Sequence, residues 1–350
     1  MAPSKRESNL ELYRILVMLT IVAHHYVVNS GVMELMKDDP TSFRSLYYYI
    51  FGAWGKVGIN CFVLITGYFM CKSKITIQKF LKLLLEVVFY MLTINAILIA
   101  VGIEQVSVRE LWSDFQILFD VSQGFTSCFI IFYLFIPFLN VLVNNMTQRQ
   151  HKCLVGLCLA VYTGISTFLL GRVEMNYVVW FCILYLISSY IRFYNPMNNW
   201  RWGWILGGAF LLSVLSIVAL IYIGGFLGKP LPQYHFIHDS NKLLAVLLSV
   251  SMFMYFKELN VPYSKVINRI AQSCFGVLLI HANCDAMRTW LWKDFLDVAG
   301  QYHTNTFILH SILSVLGIYV VCTIIDQLRI SFIEKPFFNR VNDKWQYNKV

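Results

Sequence analysis

Apolar residues dominate this chain in runs of about 20 residues, which short polar segments separate. An α-helix rises 1.5 Å per residue, so a run of about 20 residues spans the ~30 Å hydrocarbon core of a bilayer. We predict ten such spans, at residues 10–30, 46–70, 77–101, 125–145, 151–170, 174–193, 203–224, 241–257, 270–290 and 305–330. The pattern therefore predicts an all-α fold, a polytopic transmembrane helix bundle embedded in the lipid bilayer.

The segments between the spans are short. The longest predicted outer loops, residues 102–124 and 225–240, do not resemble a separate soluble domain. We expect one transmembrane domain at residues 10–335, with polar tails at residues 1–9 and 336–350. The opening sequence MAPSKRESNLE is too polar for a cleaved signal, so the first span should remain as an anchor.

Charge distribution indicates the orientation. Only 13% of the residues are charged, and the formal net charge of +9 includes no compact basic block. Because no nucleic-acid-binding motif accompanies it, we expect no nucleic-acid partner. With a cytoplasmic N-terminus, 18 Lys and Arg residues fall in inner segments and 8 in outer segments. The positive-inside rule then predicts that both termini are cytoplasmic.

Nine cysteines lie scattered along the chain, mostly within apolar runs. Their odd number and the lack of a CxxC pair favour neither a disulfide framework nor a zinc site. We interpret them as small packing residues, and we expect no metal.

The first span, RILVMLTIVAHHYVV, carries ionisable side chains in an apolar run. At about 100° per residue, Arg14 and His25 lie within roughly 20° of each other, and Glu11 lies about 40° from His25. His24 is turned about 100° away from His25, and the rise from Arg14 to His25 is about 16.5 Å. Ionisable residues within membranes usually face a bundle interior or a wet cavity. The spacing predicts a cavity on the face of Arg14 and His25. A boundary ion pair of Glu11 with Arg14, beside structural histidines, is the alternative interpretation.

Arginine followed by ten residues and histidine, in the first helix of a ten-helix protein, resembles the acyltransferase 3 family of bacterial membrane O-acyltransferases. Six segments resemble this family in its order: NLELYRILVMLTIVAHHYVVNSG, VGINCFVLITGYFM, FIIFYLFIPFLN, VVWFCILYLISSYIR, IAQSCFGVLLIHAN and IIDQLRISFIEKPFF. The chain also departs from the family pattern. Thr66 replaces a common Ser, Leu279 replaces a Tyr two residues before His281, and Lys79 and Lys82 replace an Arg-x-x-Arg pair. Lysine retains the charge but cannot bind phosphate in a bidentate manner.

The resemblance implies the reaction and its partners. The donor would be an acyl-CoA, most often acetyl-CoA, that approaches from the cytoplasm as a substrate, with no bound cofactor. The acceptor would be a hydroxyl of a cell-envelope carbohydrate, such as exopolysaccharide, capsule or O-antigen. The location implied is the bacterial inner membrane, among polysaccharide-biosynthesis partners. The sequence leaves the acyl group, the acceptor sugar and the oligomeric state open.

Chemistry then suggests individual roles. A sugar hydroxyl needs a base near pH 7, and histidine is suited to that task. We hypothesise that His25 is the general base, and that Arg14 holds polar groups on the CoA side or orients the polar network of the cavity. Lys79 and Lys82 are candidates for CoA phosphates, or they snorkel, with Lys82 paired to Glu86.

Other candidates for the cavity have a structural alternative. Thr66-Gly67-Tyr68 is a close-packing notch or a wall of the acyl channel, and His281 is a satisfied interfacial histidine or a cavity residue. Arg329 and Glu334 are interpreted mainly as an ion pair, with Glu334-Lys335-Pro336 as a helix stop. The supporting candidates are therefore Glu11, His24, Thr66, Tyr68, His281, Arg329 and Glu334.

A non-enzymatic exporter of a lipid-linked saccharide is the alternative function, since ten helices around a polar cavity fit it too. Against it, we find no paired halves with matching broken helices, which indicate an inverted-repeat transporter. A membrane sensor would need a soluble output domain, and none is evident in the sequence.

Overall fold

The computed structural model describes residues 7–104, 124–168, 173, 176–196 and 200–347, with the side chains described as far as residue 341. Every regular element in these ranges is helical. The helices are α1 Ser8–Val28, α2 Val32–Asp38, α3 Phe43–Phe51, α4 Gly55–Met70, α5 Ile77–Ala100, α6 Phe125–Asn145, α7 Gln148–Phe168, α8 Tyr177–Tyr194, α9 Trp202–Leu227, α10 Leu243–Glu258, α11 Lys265–Ala271, α12 Cys274–Ala282, α13 Asp285–Thr289, α14 Val298–Gln301, α15 Phe307–Arg329 and α16 Lys335–Tyr347.

Within the described residues, eight helical segments are long and apolar enough to cross a membrane. They are α1, α3 with α4, α5, α6, α7, α8, α9, and α15 with the start of α16. The predicted all-α polytopic bundle is confirmed. Most of predicted outer loop 102–124 lies outside the described residues.

Two predicted spans are not among these eight segments. Residues 241–257 form α10, whose 16 residues reach about 24 Å. Residues 270–290 are divided among α11, α12 and α13. At the break after Ala271, Gln327 of α15 donates a hydrogen bond to the hydroxyl of the buried Ser273 at 2.7 Å. Broken helices are stable at membrane depth when neighbouring helices satisfy their polar groups.

The predicted helix stop at Glu334-Lys335-Pro336 is wrong. The chain leaves α15 through a π-helical turn at Ile330–Glu334 and continues directly into α16. Proline lacks an N–H and breaks a helix interior, but it fits the first turn of a new helix. Pro336 is the second residue of α16, and the π turn before it already alters the hydrogen-bond pattern.

Polar contacts define two ends of the bundle. At the inner end, Asn9 donates to the carbonyl oxygens of Phe256 and Lys257, at 3.0 Å each. At the outer end, Asn60 donates to the carbonyl oxygen of Ser240 at 2.6 Å. Successive long helices alternate in direction, so the beginning of α1 and the end of α15 both lie at the inner end. The charge distribution predicts that this end is cytoplasmic.

Close packing of α4 confirms the notch predicted at Thr66-Gly67-Tyr68. A Cβ atom on Gly67 would collide with the hydroxyl of Ser188 and would lie 3.1 Å from the Tyr185 Cα atom. The missing side chain therefore lets α4 and α8 approach closely. Elsewhere, six of the nine free cysteines are buried, which fits packing roles, whereas Cys153 is exposed.

Candidate active site

A cavity of about 360 Å³ lies at the outer end of the bundle. Its walls come from the second half of α1, the last turns of α12, the first two turns of α4, the first turns of α6 and α8, and α13. The polar lining residues are His24, His25, Asn29, Lys56, Thr126, Ser127, Tyr177, Asn283, Asp285 and Arg288. Several helix ends therefore place polar side chains around one space large enough for part of a small ligand.

Helix α1 contributes a broad wall. Its lining residues are Met18, Ile21, His24, His25, Val28 and Asn29, which cover an arc of about 140°. Both histidines lie on this arc. The cavity is wider than the 100° between the two side chains, so His24, one of the supporting candidates, lines it together with His25.

His25 contacts a second histidine from the far end of the sequence. The Nδ1 atom of His25 lies 3.0 Å from Nε2 of His281. The Nδ1 atom of His281 lies 2.5 Å from the carbonyl oxygen of Val277, one turn earlier in α12. His281 is fully buried, whereas His25 is partly accessible from the cavity. The two imidazoles thus form a hydrogen-bonded chain that ends at the cavity.

The direction of this chain follows from what each atom can do. A carbonyl oxygen only accepts, so Nδ1 of His281 carries a hydrogen and donates to Val277. In neutral His281, Nε2 is then the acceptor, and His25 donates to it through Nδ1. Neutral His25 therefore has its unprotonated nitrogen at Nε2, to which no described residue hydrogen-bonds. The arrangement leaves Nε2 of His25 free to accept a proton from a ligand.

His24 is held differently. Its Nδ1 donates to the carbonyl oxygen of Gly52 at 2.6 Å, in the turn between α3 and α4. The ring packs directly on Gly55, where any Cβ atom would collide with it. His24 thus joins α1 to the start of α4 through the backbone, whereas the partner of His25 is another titratable side chain.

Three polar contacts at this cavity were not predicted from the sequence. Lys56 donates to the Tyr177 hydroxyl at 2.5 Å, Thr126 donates to the side chain of Asn283 at 2.8 Å, and Arg288 pairs with Asp285. Lys56 carried a signal that sequence reasoning missed, since a lysine inside an apolar span usually faces a cavity. Thr126 and Asn283 are distant in sequence, so no local pattern indicates their contact. The i,i+3 spacing of Asp285 and Arg288 is a local signal that sequence reasoning also missed.

Glu11 and Arg14 lie nearer the inner end. Arg14 Nη1 is 2.9 Å from Glu11 Oε2, so the ion pair of the alternative interpretation is present. Arg14 has the same angular position as His25, but the described lining of the cavity begins one turn later, at Met18. Arg14 therefore lies below the cavity, between it and the inner end.

Arg329 is the centre of a buried charge cluster at the inner end. It contacts Asp326 at 2.8 Å, Glu334 at 2.8 Å and Glu86 of α5 at 2.9 Å. Lys82 lies 2.6 Å from Glu334 rather than being paired with Glu86 as the sequence alternative suggested. We name these five residues the Arg329 cluster. It joins α5 to the end of α15 and lies away from the residues that line the cavity.

The remaining candidates also lie away from the cavity lining. Lys79 is exposed and donates to the carbonyl oxygen of Lys74 at 2.9 Å. Tyr68 accepts a hydrogen bond from Arg192 at 2.6 Å, and Thr66 donates to a carbonyl of its own helix at 2.9 Å. Of the predicted site residues, the structure therefore brings together His24, His25 and His281. Among the described residues, no three side chains of the types His, Cys, Asp and Glu are grouped to hold a metal ion.

Comparison with protein families finds a match over most of the chain. A family model described as an acyltransferase domain, of the acyltransferase 3 type, matches residues 7–327. This range includes α1, every segment that lines the cavity, and Arg14, His25 and His281. Neither the curated proteins nor the solved structures include a match.

Proposed function

Because the chain belongs to the acyltransferase 3 family and forms a multi-pass membrane acyltransferase, we propose that it transfers an acyl group from acyl-CoA to a hydroxyl of a cell-envelope carbohydrate. The donor proposed is acetyl-CoA, and the acceptor class is exopolysaccharide, capsule or O-antigen. The location proposed is the bacterial inner membrane.

The observation that carries the proposal is the free Nε2 atom of His25 at the cavity. An alcohol attacks a thioester effectively only if a base removes its proton. In the proposed step, the acceptor oxygen forms a bond to the acyl carbon while Nε2 takes the hydroxyl proton. The C–S bond then breaks, and the proton on His25 passes to the departing thiolate. The products are an O-acyl sugar and free CoA.

His281 would act through His25 rather than on the substrate. By accepting from Nδ1 of His25, it holds the ring orientation and the tautomer that a base requires. The imidazolium formed during transfer keeps the same hydrogen bond. His281 is therefore proposed as a positioning residue.

The donor would enter from the inner end and the acceptor from the outer end. Arg14 lies between the inner end and His25, where it is proposed to hold polar groups of the donor's arm. Lys79 and Lys82 are proposed to meet the CoA phosphates. The exposed Lys79 is the simpler candidate, because Lys82 belongs to the Arg329 cluster.

Transfer of label tests the proposal directly. Membranes containing the chain are incubated with acetyl-CoA labelled in the acetyl group and with envelope polysaccharide from the organism of origin. We expect alkali-labile label in the polysaccharide, which indicates an O-ester. Membranes containing His25→Ala at equal abundance are the control. Transport of a saccharide without incorporation of label would overturn the proposal in favour of an exporter.

A further inference from the structure

Two cations line the cavity, and the proposed proton transfer uses neither of them. Lys56 is the second residue of α4, and Arg288 belongs to α13. Both lie at the outer end, on the walls that also carry His25. Cations inside a membrane domain are costly, so their place at a cavity calls for a ligand or a counter-ion.

Arg288 has its counter-ion. It pairs with Asp285, whose side chain is 79% exposed and also lines the cavity. The charge of Arg288 is therefore balanced without a ligand.

Lys56 lacks such a pair among the described residues. Its Nζ atom donates to the neutral hydroxyl of Tyr177 at 2.5 Å and lies 5.1 Å from the centre of that ring. Asp239, in the loop before α10, forms no ion pair with Lys56 among the described contacts, and the charge of Lys56 affects its pKa only from a distance. Its pKa is lowered first by the hydrogen bond with His238, at 3.0 Å, and then by the charges of His238, Lys56 and Lys242. Two cations and one carboxylate thus leave the described cavity lining positive when the histidines are neutral.

Tyr177 fixes the position of this charge. Tyr177 is buried and is the first residue of α8, and its hydroxyl accepts the hydrogen bond from Lys56 in the cavity wall. A lysine held in this way has already lost much of its side-chain freedom, so an arriving anion gains a charge-assisted hydrogen bond at a low entropic cost.

We infer that the acceptor carries an anionic group, a carboxylate or a phosphate, which Lys56 binds while the acceptor hydroxyl meets His25. This inference rests on the proposed function, because it names the class of acceptor that the same cavity takes. The anion belongs to the acceptor rather than to the donor. Lys56 lies at the outer end, and the phosphates of CoA would remain at the inner end, far from the reacting thioester.

The first test identifies the charge of the product. Polysaccharide labelled from acetyl-CoA is applied to an anion-exchange column. We expect the label to be retained and to elute only with salt, and label in the flow-through would overturn the inference. Mild acid, which cleaves a lipid pyrophosphate, separates the two anion sources: label still retained afterwards indicates an acidic saccharide, and label released indicates a carrier phosphate. Failure to incorporate any label would instead overturn the proposed function, and the inference with it.

The second test removes the charge. Lys56→Gln should reduce kcat/KM for the acceptor about 10- to 100-fold, the effect of losing one hydrogen bond between charged groups. The KM for acetyl-CoA should stay the same, and added salt should inhibit the original chain more than the variant. Lys37→Gln is the matched control, since Lys37 is exposed on α2 near the same end and pairs with Glu34 at 2.8 Å.

Lys56→Arg keeps the positive charge and should retain most of the acceptor affinity. If Lys56→Gln fails to accumulate, the arginine variant and the anion-exchange result decide the question. An unchanged KM for the acceptor in a well-folded Lys56→Gln protein, or a raised KM for acetyl-CoA alone, would contradict the inference.

Discussion

A backbone carbonyl determines which nitrogen of His25 can act as a base. Val277 fixes the hydrogen on Nδ1 of His281, and His281 in turn fixes the hydrogen on Nδ1 of His25. As a result, Nε2 is the nitrogen of neutral His25 that can accept a proton. Helical geometry placed His25 on the predicted face, but its distinction from His24 lies in this partner rather than in the angle.

The two neighbouring histidines should therefore differ in their effect on transfer. His25→Ala should lower the transfer rate about 10²- to 10⁴-fold, as expected for loss of a general base. His24→Ala should cost far less, because the described partner of His24 is the backbone carbonyl of Gly52 and not a second titratable side chain. Rates with labelled acetyl-CoA, normalised by immunoblot, measure both. Equal, severe losses with reduced protein levels would indicate packing roles, and retained activity in His25→Ala would refute the mechanism.

His281 should affect kcat rather than donor binding. His281→Ala removes the acceptor for Nδ1 of His25, and we expect kcat to fall about 10- to 10⁴-fold, between the loss of one hydrogen bond and the loss of the correct tautomer. The KM for acetyl-CoA should not change. His281→Gln supplies an amide oxygen that can accept the same bond and should restore part of kcat. If the two variants are equally inactive and poorly folded, His281 has a structural role only.

At the scale of elements, α4 makes its closest contacts with other helices at glycines, which have no side chain. Gly67 brings it against α8, and Gly55 brings it against His24 of α1. Small residues drive such contacts because helices in lipid gain stability mainly from close packing. The notch was predictable from three residues, but its partner helix was not.

Gly67→Ala should destabilise the bundle. The added Cβ would meet backbone as well as the Ser188 side chain, and overpacking of this kind costs about 1–3 kcal/mol of unfolding free energy. Thermal unfolding in detergent should show a lower midpoint. Gly208→Ala in α9 is the control, because open space surrounds that position and alanine favours a helix. Equal midpoints for the two variants would contradict the packing argument.

The Arg329 cluster joins α5 to α15 through buried charges. Arg329→Gln would leave three carboxylates with one remaining cation, and removing one partner of a buried pair costs about 3–5 kcal/mol. We expect little folded protein in membrane extracts. Arg269→Gln is the matched control, since this exposed arginine at the same end contacts the neutral Gln327 at 3.0 Å. Normal yield of Arg329→Gln would show that the cluster does not hold the helices together.

At the scale of the whole molecule, the proposed chemistry depends on orientation. Reporter fusions after residues 75, 149 and 262 should be cytoplasmic, and fusions after residues 38 and 235 should be external. The charge distribution also predicts an external fusion after residue 112 and a cytoplasmic fusion after residue 197. Both of these positions lie outside the described residues. A reversed pattern would place the cavity and Lys56 on the donor side, and the proposed route of acyl-CoA would then be wrong.

The sequence alone determined the helices, the orientation expected from the charges, the family resemblance and the shared face of Arg14 and His25. These are local properties, because helical geometry fixes the angle between residues a few turns apart. Only the tertiary structure decided that His281, 256 positions away, contacts His25, and that Lys56 faces the same cavity. It also showed that the cavity ends above Arg14 and that Lys82 pairs with Glu334. Such contacts depend on which helix faces meet, and that choice is made by packing among segments distant in sequence.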